Sequence, residues 1–348
     1  MGTQETRKVG DVTDLQRRAA WLIDGFVFTQ LCYVASDTGV FDQLAAGSRT
    51  SGELAAALDL DAGNLHRVLR GLAAEGVVVE RGDHGFALSS LGEIVGRMQG
   101  AVRARGELYY AAATGLRDAV RDGGSAFEHH HGQPFFHYLG AEPEREAAFH
   151  ASMATRAAAE SAAVIDAYDF STVRHVVDVG GGNGILLAAI LQTVPHITGV
   201  LLDRSAVLPD ARATLQGAGV SSRAHCVAGD FFTDVPSGAD TYMLSRVLHD
   251  WDDTDAVRIL RTCRKRMPPN SRLLVVEAVL PERAADNPAV VLMDLHMLLL
   301  LGARERTLQE YADLLDHVDL EISRHIPTAS PVGLAVIEAR PRSSGCGN

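Results

Sequence analysis

The run His175-Val-Val-Asp-Val-Gly-Gly-Gly-Asn-Gly184, continued by Ile185-Leu-Leu-Ala-Ala-Ile-Leu-Gln-Thr-Val194, decides the fold. Its first half is a short apolar segment ending in an acid and glycines, the pattern of a buried strand that turns sharply. Its second half has the length and composition of a helix. Beyond it the texture repeats. Residues 198–204 read as a second strand ending in Asp203, and 223–232 as a third ending near Asp230. Residues 239–251 read as a fourth, running to His249. A helix from Asp253 to Met267 follows, with Ala256, Leu260, Cys263 and Met267 on one stripe. Residues 272–280, 320–328 and 333–340 complete the set. Alternating strands and helices imply an α/β domain with a Rossmann-like, doubly wound, seven-stranded sheet. Ligands in such sheets sit at the carboxyl ends of strands. Asp178, Asp203, Asp230, His249 and Glu277 all fall at or near those ends.

Upstream, residues 1–100 read differently. Apolar positions at helical spacing run through 13–46, including Leu15, Leu22, Ile23, Phe26 and Val34. Thr50 or Ser51 is placed to cap a short helix, with Glu53 at the capping-box spacing. A helix over 62–75 ends at Gly76, and two short β-type runs flank Arg81 to Gly85. Helix, helix and hairpin in this order is a winged-helix pattern. The expected division is therefore a winged-helix domain over 1–100 and a catalytic domain over 101–348, with 101–170 a helical linker and pocket segment.

Composition narrows the classes. The 348 residues carry 32 Lys plus Arg against 44 Asp plus Glu, a formal charge of -12. Phosphate neutralisation needs clustered positive charge, so nucleic-acid binding is not expected, despite Arg67 and Arg70 on the would-be recognition helix. No unbroken apolar run reaches the roughly 18 residues of a membrane span, and no apolar region follows the basic residues of the N-terminus, so a cytoplasmic location is expected. Cys32, Cys226, Cys263 and Cys346 are scattered, which argues against a disulfide framework. His129, His130 and His131 are adjacent in sequence, and neighbours do not readily converge on one ion, so no metal site is expected. Lysine occurs only at positions 8 and 265, a bias toward arginine that points to a GC-rich genome.

The glycine turn alone is compatible with NAD, FAD or S-adenosylmethionine, or with a turn and nothing more. Its GxGxG spacing over Gly180, Gly182 and Gly184 departs from the GxGxxG dinucleotide fingerprint, which weighs against an NAD-dependent oxidoreductase. A carboxylate such as Asp203 accepts ribose hydroxyls. Asp230 followed by Phe231 offers an acid for an adenine amino group and an aromatic beside its ring. No lysine-bearing phosphate loop accompanies them, so an adenosine nucleoside without pyrophosphate is favoured.

The series VVDVGGGNG, LLDR, GDFF, MLSRVLHDW, VVEAVLP and ARERT resembles the S-adenosylmethionine-dependent small-molecule O-methyltransferases, which include plant caffeate and isoflavone enzymes and bacterial enzymes acting on aromatic polyketides. The resemblance covers nearly the whole chain and implies that the N-terminal domain mediates a homodimer. It implies S-adenosyl-L-methionine as cofactor, S-adenosyl-L-homocysteine as product, and no metal. Gly180, Gly182, Asp203, Asp230, Phe231, Ser245 and Trp251 then match cofactor positions, Ser245 standing where plant members commonly carry lysine. His249 matches the general base, flanked by Glu277 and Glu305. Phe149, Met153 and Met297 match acceptor-pocket positions. The implied substrate is a phenolic aromatic, such as a polyketide in bacterial natural-product biosynthesis. Two other readings compete: a ligand-sensing winged-helix transcription regulator, and a family member that keeps the cofactor for other chemistry.

Overall fold

The structure, a computed structural model, describes residues 9–82, 84–141 and 156–342. Two compact units meet in sequence between Thr114 and Gly115.

The first unit opens with a long helix, Val9–Asp37, and a short one, Val40–Ala45. Strand β1 (Arg49–Thr50) leads into the helix Ser51–Leu58. Thr50 and Glu53 form the expected capping box, each side chain bonding the other's backbone N–H. After the helix Ala62–Ala74, a left-handed Gly76 reverses the chain into β2 (Val78–Glu80) and β3 (Gly85–Leu88). β1 pairs with β3, so the hairpin becomes a three-stranded sheet in the order β1-β3-β2. Phe41, Leu54, Leu69, Leu72 and Phe86 form the core beneath it. Arg70 of the would-be recognition helix faces Glu80 of the hairpin at 3.6 Å, so its charge is partly met within the unit.

The apolar residues of the first helix are mostly outside that core. Leu22, Ile23 and Phe26 are 66%, 75% and 53% exposed in the single chain. Besides the short unbroken runs, one longer, interrupted apolar segment is present. Residues Val12–Asp37 are long and apolar enough to cross a membrane by length and composition. Scattered polar residues break the run, which is why run length passes over it.

In the second unit, the three histidines lie on a short helix, Ala126–His131, capped by Ser125. The main sheet consists of β4 (His175–Val179), β5 (Thr198–Asp203), β6 (Ala224–Ala228), β7 (Thr241–Ser245), β8 (Arg272–Leu280), β10 (Leu320–Pro327) and β11 (Leu334–Pro341). A two-residue β9 (Arg306–Thr307) joins the far end of β8. The order is β10-β11-β8-β7-β4-β5-β6, parallel from β8 to β6 and antiparallel for β11 and β10. The chain leaves β4 toward β5 and β6 on one side and returns to β7 and β8 on the other. The switch point therefore lies between β4 and β7, where such sheets bind ligands. Apolar layers cover both faces, as a parallel sheet requires.

One boundary differs from the sequence reading. β7 stops at Ser245, four residues before His249. Arg246 takes a left-handed backbone conformation, φ 54°, and Leu248–Asp250 form a single 3₁₀ turn. His249 thus sits on a turn beyond the strand end.

Candidate active site

The glycine turn after β4 faces the turn after β7. Gly180, Gly181 and Gly182 line a cavity of about 270 Å³, with Asp178, Asn183, Glu160, Ser245 and Arg246 on its other walls. The turn needs glycine at two points. Gly180 has φ 71°, and a Cβ there would lie 2.9 Å from Val247 Cγ2. At Gly181 a Cβ would lie 2.6 Å from Asp178 Oδ2. Asp203 at the end of β5 ties the turn down, its Oδ2 accepting from the Gly182 N–H at 2.8 Å. Phe231 packs close to Gly180, and Trp251 crosses Phe232 edge-on at 4.8 Å. Asp230 Oδ1 accepts from the Phe232 N–H, shaping its own turn.

Gly180, Gly182 and Ser245 therefore share one cavity. Asp203, Asp230, Phe231 and Trp251 stand around its glycine turn but not on the cavity wall itself. Met297 is buried on the helix Pro288–Leu300. Phe149 and Met153 lie outside the described residues.

Two features around the glycine turn fit an adenosine-bearing, positively charged ligand. The buried Asp178 Oδ1 has no hydrogen-bond partner among the described residues. Burial and the charge of Asp203 push the Asp178 carboxyl up to about 7. Asp203 keeps free lone pairs beside the backbone donors it holds, as a ribose acceptor needs.

The second cluster centres on His249. Where β7 ends, β8 continues, and Glu277 of β8 takes over the missing ladder. Its Oε1 accepts from Val247 N–H at 2.9 Å and Leu248 N–H at 2.8 Å. His249 Nδ1 lies 3.1 Å from Glu305 Oε1 and 3.8 Å from Glu277 Oε2. Its Nε2 lies 3.5 Å from Asp250 Oδ1. Glu305 is fixed just before β9, and its own N–H donates to Asp294 Oδ1. The sequence reading brought Glu277 and Glu305 to this ring; Glu160, Arg246, Asp294 and Arg306 it did not single out. A lone acid in the alanine-rich stretch Arg156-Ala-Ala-Ala-Glu160 was the available signal for Glu160.

The electrostatics follow from this packing. Burial opposes a charged imidazolium, but Glu277, Asp250 and Glu305 outweigh it and lift His249 to about 9. The acids around the ring favour its protonated form. Burial also works against ionised Glu305, yet His249, Arg246 and Arg156 hold its carboxyl below the usual range. Burial raises the Glu277 carboxyl, with His249 and Arg246 pulling the other way. His249, Glu277 and Glu305 also place three ligand-type atoms within 4.8 Å of one another. The guanidinium of Arg246, 3.1 Å from Glu305, already supplies a cation there.

Comparison with known proteins identifies the family. Residues 114–319 match the O-methyltransferase domain family, and residues 21–95 match the O-methyltransferase dimerisation domain family. The chain belongs to the S-adenosylmethionine-dependent O-methyltransferases. A phenazine O-methyltransferase, PhzM, of Lysobacter antibioticus is 40% identical over 326 residues, covering 92% of this chain and 94% of that protein. The crystal structure of NcsB1, an O-methyltransferase from neocarzinostatin biosynthesis in complex with S-adenosylmethionine and 2-hydroxy-5-methyl naphthoic acid, superposes with a TM-score of 0.78. It is 32% identical and covers 90% of this chain and 96% of its own. Aclacinomycin 10-hydroxylase RdmB of Streptomyces purpurascens is also similar, 35% identical over 318 residues, covering 88% and 85%.

The turn bearing His249 rests on Arg306, whose side chain is fully buried. Its Nη1 donates to Leu248 O and its Nη2 to Trp251 O, both at 2.7 Å. Arg306→Met strips both carbonyls of their donors, and the expected loss is about 1–3 kcal/mol, the cost of unmet buried polar groups. Urea denaturation checks this, and an unchanged midpoint shows that water replaces the guanidinium.

Proposed function

We propose that this enzyme methylates a phenolic hydroxyl of an aromatic small molecule in a bacterial natural-product pathway, with His249 as general base and no metal ion. The observation that carries the reading is the His249 ring, held by Glu305 on the turn that adjoins the glycine cavity. When bound, S-adenosylmethionine supplies the electrophilic methyl. Asp203 accepts the ribose hydroxyls, and Asp230, Phe231 and Trp251 surround the adenine. Ser245 and the glycine turn flank the methionine part. Met297, buried on the helix Pro288–Leu300, lines the acceptor site.

The residues then divide the work. A phenol of pKa about 10 is protonated at neutral pH and a poor nucleophile. His249 directs Nδ1 at Glu305, which leaves Nε2 for the acceptor proton. A base of pKa about 9 is close to the phenol in proton affinity, so transfer to it is nearly balanced. Glu305 stabilises the imidazolium that results. Arg246 and the imidazolium balance the buried carboxylates, which is why the reading needs no metal.

Homodimer formation through the N-terminal unit belongs to the same proposal. The support is the matched dimerisation family and the exposed face bearing Leu22, Ile23 and Phe26. A cytoplasmic site of action goes with it. The hydroxylase among the relatives keeps a second reading in play, in which the cofactor is retained for other chemistry. Mass spectrometry of a phenol panel incubated with enzyme and S-adenosylmethionine separates the two. A methyl in place of a hydrogen supports methylation, and an added oxygen supports the alternative.

Four outcomes are expected. His249→Ala lowers turnover on a high-pKa phenol by roughly 10²–10⁴-fold. The sign of the pH dependence follows from the raised pKa. Only the neutral imidazole accepts a proton, and at pH 7 about one molecule in a hundred has it. The wild-type kcat/KM therefore rises about tenfold per pH unit and levels near pH 9, and His249→Ala loses this limb. A flat wild-type profile on a weakly acidic phenol removes His249 as the base. Asp203→Ala weakens S-adenosylhomocysteine binding by roughly 1.5–3 kcal/mol in calorimetry; unchanged affinity in a folded variant takes Asp203 out of the ribose site. Light scattering is expected to give about twice the 37.2 kDa chain mass, and a monomer at all concentrations would contradict the dimer.

A further inference from the structure

Arg246 is the buried cation of the site, and the reaction as derived so far uses it only to balance charge. Its backbone is unusual. A bulky residue at φ 54° is uncommon, and such outliers concentrate at functional sites. The Arg246 N–H still donates to Val276 O at 3.0 Å, so β7 keeps its register with β8 for one residue while the chain turns. The guanidinium is 16% exposed and spans two acids. Nη2 and Nε donate to the two oxygens of Glu160 at 2.7 and 3.2 Å, a two-point pairing. Nη1 donates to Glu305 Oε1 at 3.1 Å. That same oxygen is 3.1 Å from His249 Nδ1. Glu160 is in turn anchored by Arg156 Nε at 2.8 Å, and both Glu160 and Arg246 line the cavity of the glycine turn.

We propose that Arg246 is a positioning residue: its guanidinium, locked on Glu160 at the cavity wall, shares the Glu305 carboxylate with His249 and so sets how tightly the base holds its proton. The catalytic consequence rests on His249 being the base; the effect on the His249 proton does not. The groups facing the ring are Glu305, Glu277 of β8 and Asp250 of its own turn. Behind Glu305 stand Asp294 on the helix Pro288–Leu300 and Tyr311 on the helix Leu308–Asp316. All of these are acids or a phenol; Arg156 and the buried Arg306 also act on the cluster, but Arg246 is the cation that bonds Glu305 directly. One oxygen divided between two donors binds each less strongly than it would bind one. A positive charge on the far side of Glu305 also disfavours a proton on the imidazole. Arg246 thereby keeps His249 from becoming too basic to release its proton between turnovers.

The test is a histidine-detected NMR titration of the full-length protein, with the His249 resonance assigned by its loss in His249→Ala. Arg246→Gln is expected to move the His249 midpoint up by about one pH unit, and Arg246→Lys to restore most of it. If Arg246→Gln does not fold, Glu160→Gln gives the opposite sign. It keeps the guanidinium and frees it to engage Glu305 with both arms, so the midpoint falls. In folded variants, an unmoved or lowered midpoint in Arg246→Gln, or an unmoved or raised one in Glu160→Gln, overturns the proposal. The same shift is expected in the basic limb of kcat/KM. If the midpoint moves as expected but His249→Ala retains turnover, the base reading fails while this one stands.

Discussion

One carboxylate oxygen, Glu277 Oε1, holds the turn on which the site is built. β7 ends at Ser245 while β8 runs on to Leu280; the Arg246 N–H still reaches Val276 O, but the next two amides lose their ladder partners. Buried amides left without acceptors are costly. Glu277 accepts two of them from the neighbouring strand, and Arg306 donates to the carbonyls of Leu248 and Trp251 in the same turn. The backbone around His249 is thus satisfied by side chains that are themselves buried. This fixes the imidazole without a helix or strand to carry it.

The consequence is a buried cluster in which every charge conditions another. Glu305 meets Arg246 and His249 through one oxygen, and Arg246 meets Glu160, which meets Arg156. Removing one partner from such a set leaves an uncompensated charge away from water, which is worse than never having buried it. The cluster also joins two things that must be kept in register. Its outer members line the cavity of the glycine turn, and its inner member is the ring with a proton affinity near that of a phenol.

The central strands β4, β7 and β8 were legible because they are buried on both faces and read as near-continuous apolar runs, whereas the edge strands β6 and β10 are largely exposed. The glycine turn was legible because close approach to Val247 and Asp178 excludes a Cβ. His249 was found by its motif, yet its placement on a strand was wrong, since nothing local in Ser245-Arg-Val-Leu-His249 marks the left-handed residue that ends β7. Glu160 lies 86 residues from its partner Arg246. Contacts of that span leave no periodicity, and a single acid on a helix is more often solvated than buried. The wide apolar face of the first helix was visible as spacing, but its polar interruptions hid how apolar the helix is as a whole.

The proton affinity of His249 was the least legible property, and it is the one on which the proposed chemistry turns. An imidazole in a motif suggests its ordinary value, near 6.5. At that value the ring would be neutral at physiological pH but a weak base toward a phenol of pKa about 10. The acids around it exchange availability for strength. Less of the base is free at pH 7, and what is free pulls harder on the proton. For a single deprotonation step these effects nearly offset each other below the pKa. In the proposed reaction the gain lies elsewhere: the imidazolium that forms is stabilised by groups already in place, Glu305 first among them. A general base held this way favours acceptors that resist ionisation, and gains least with phenols already acidic enough to ionise unaided.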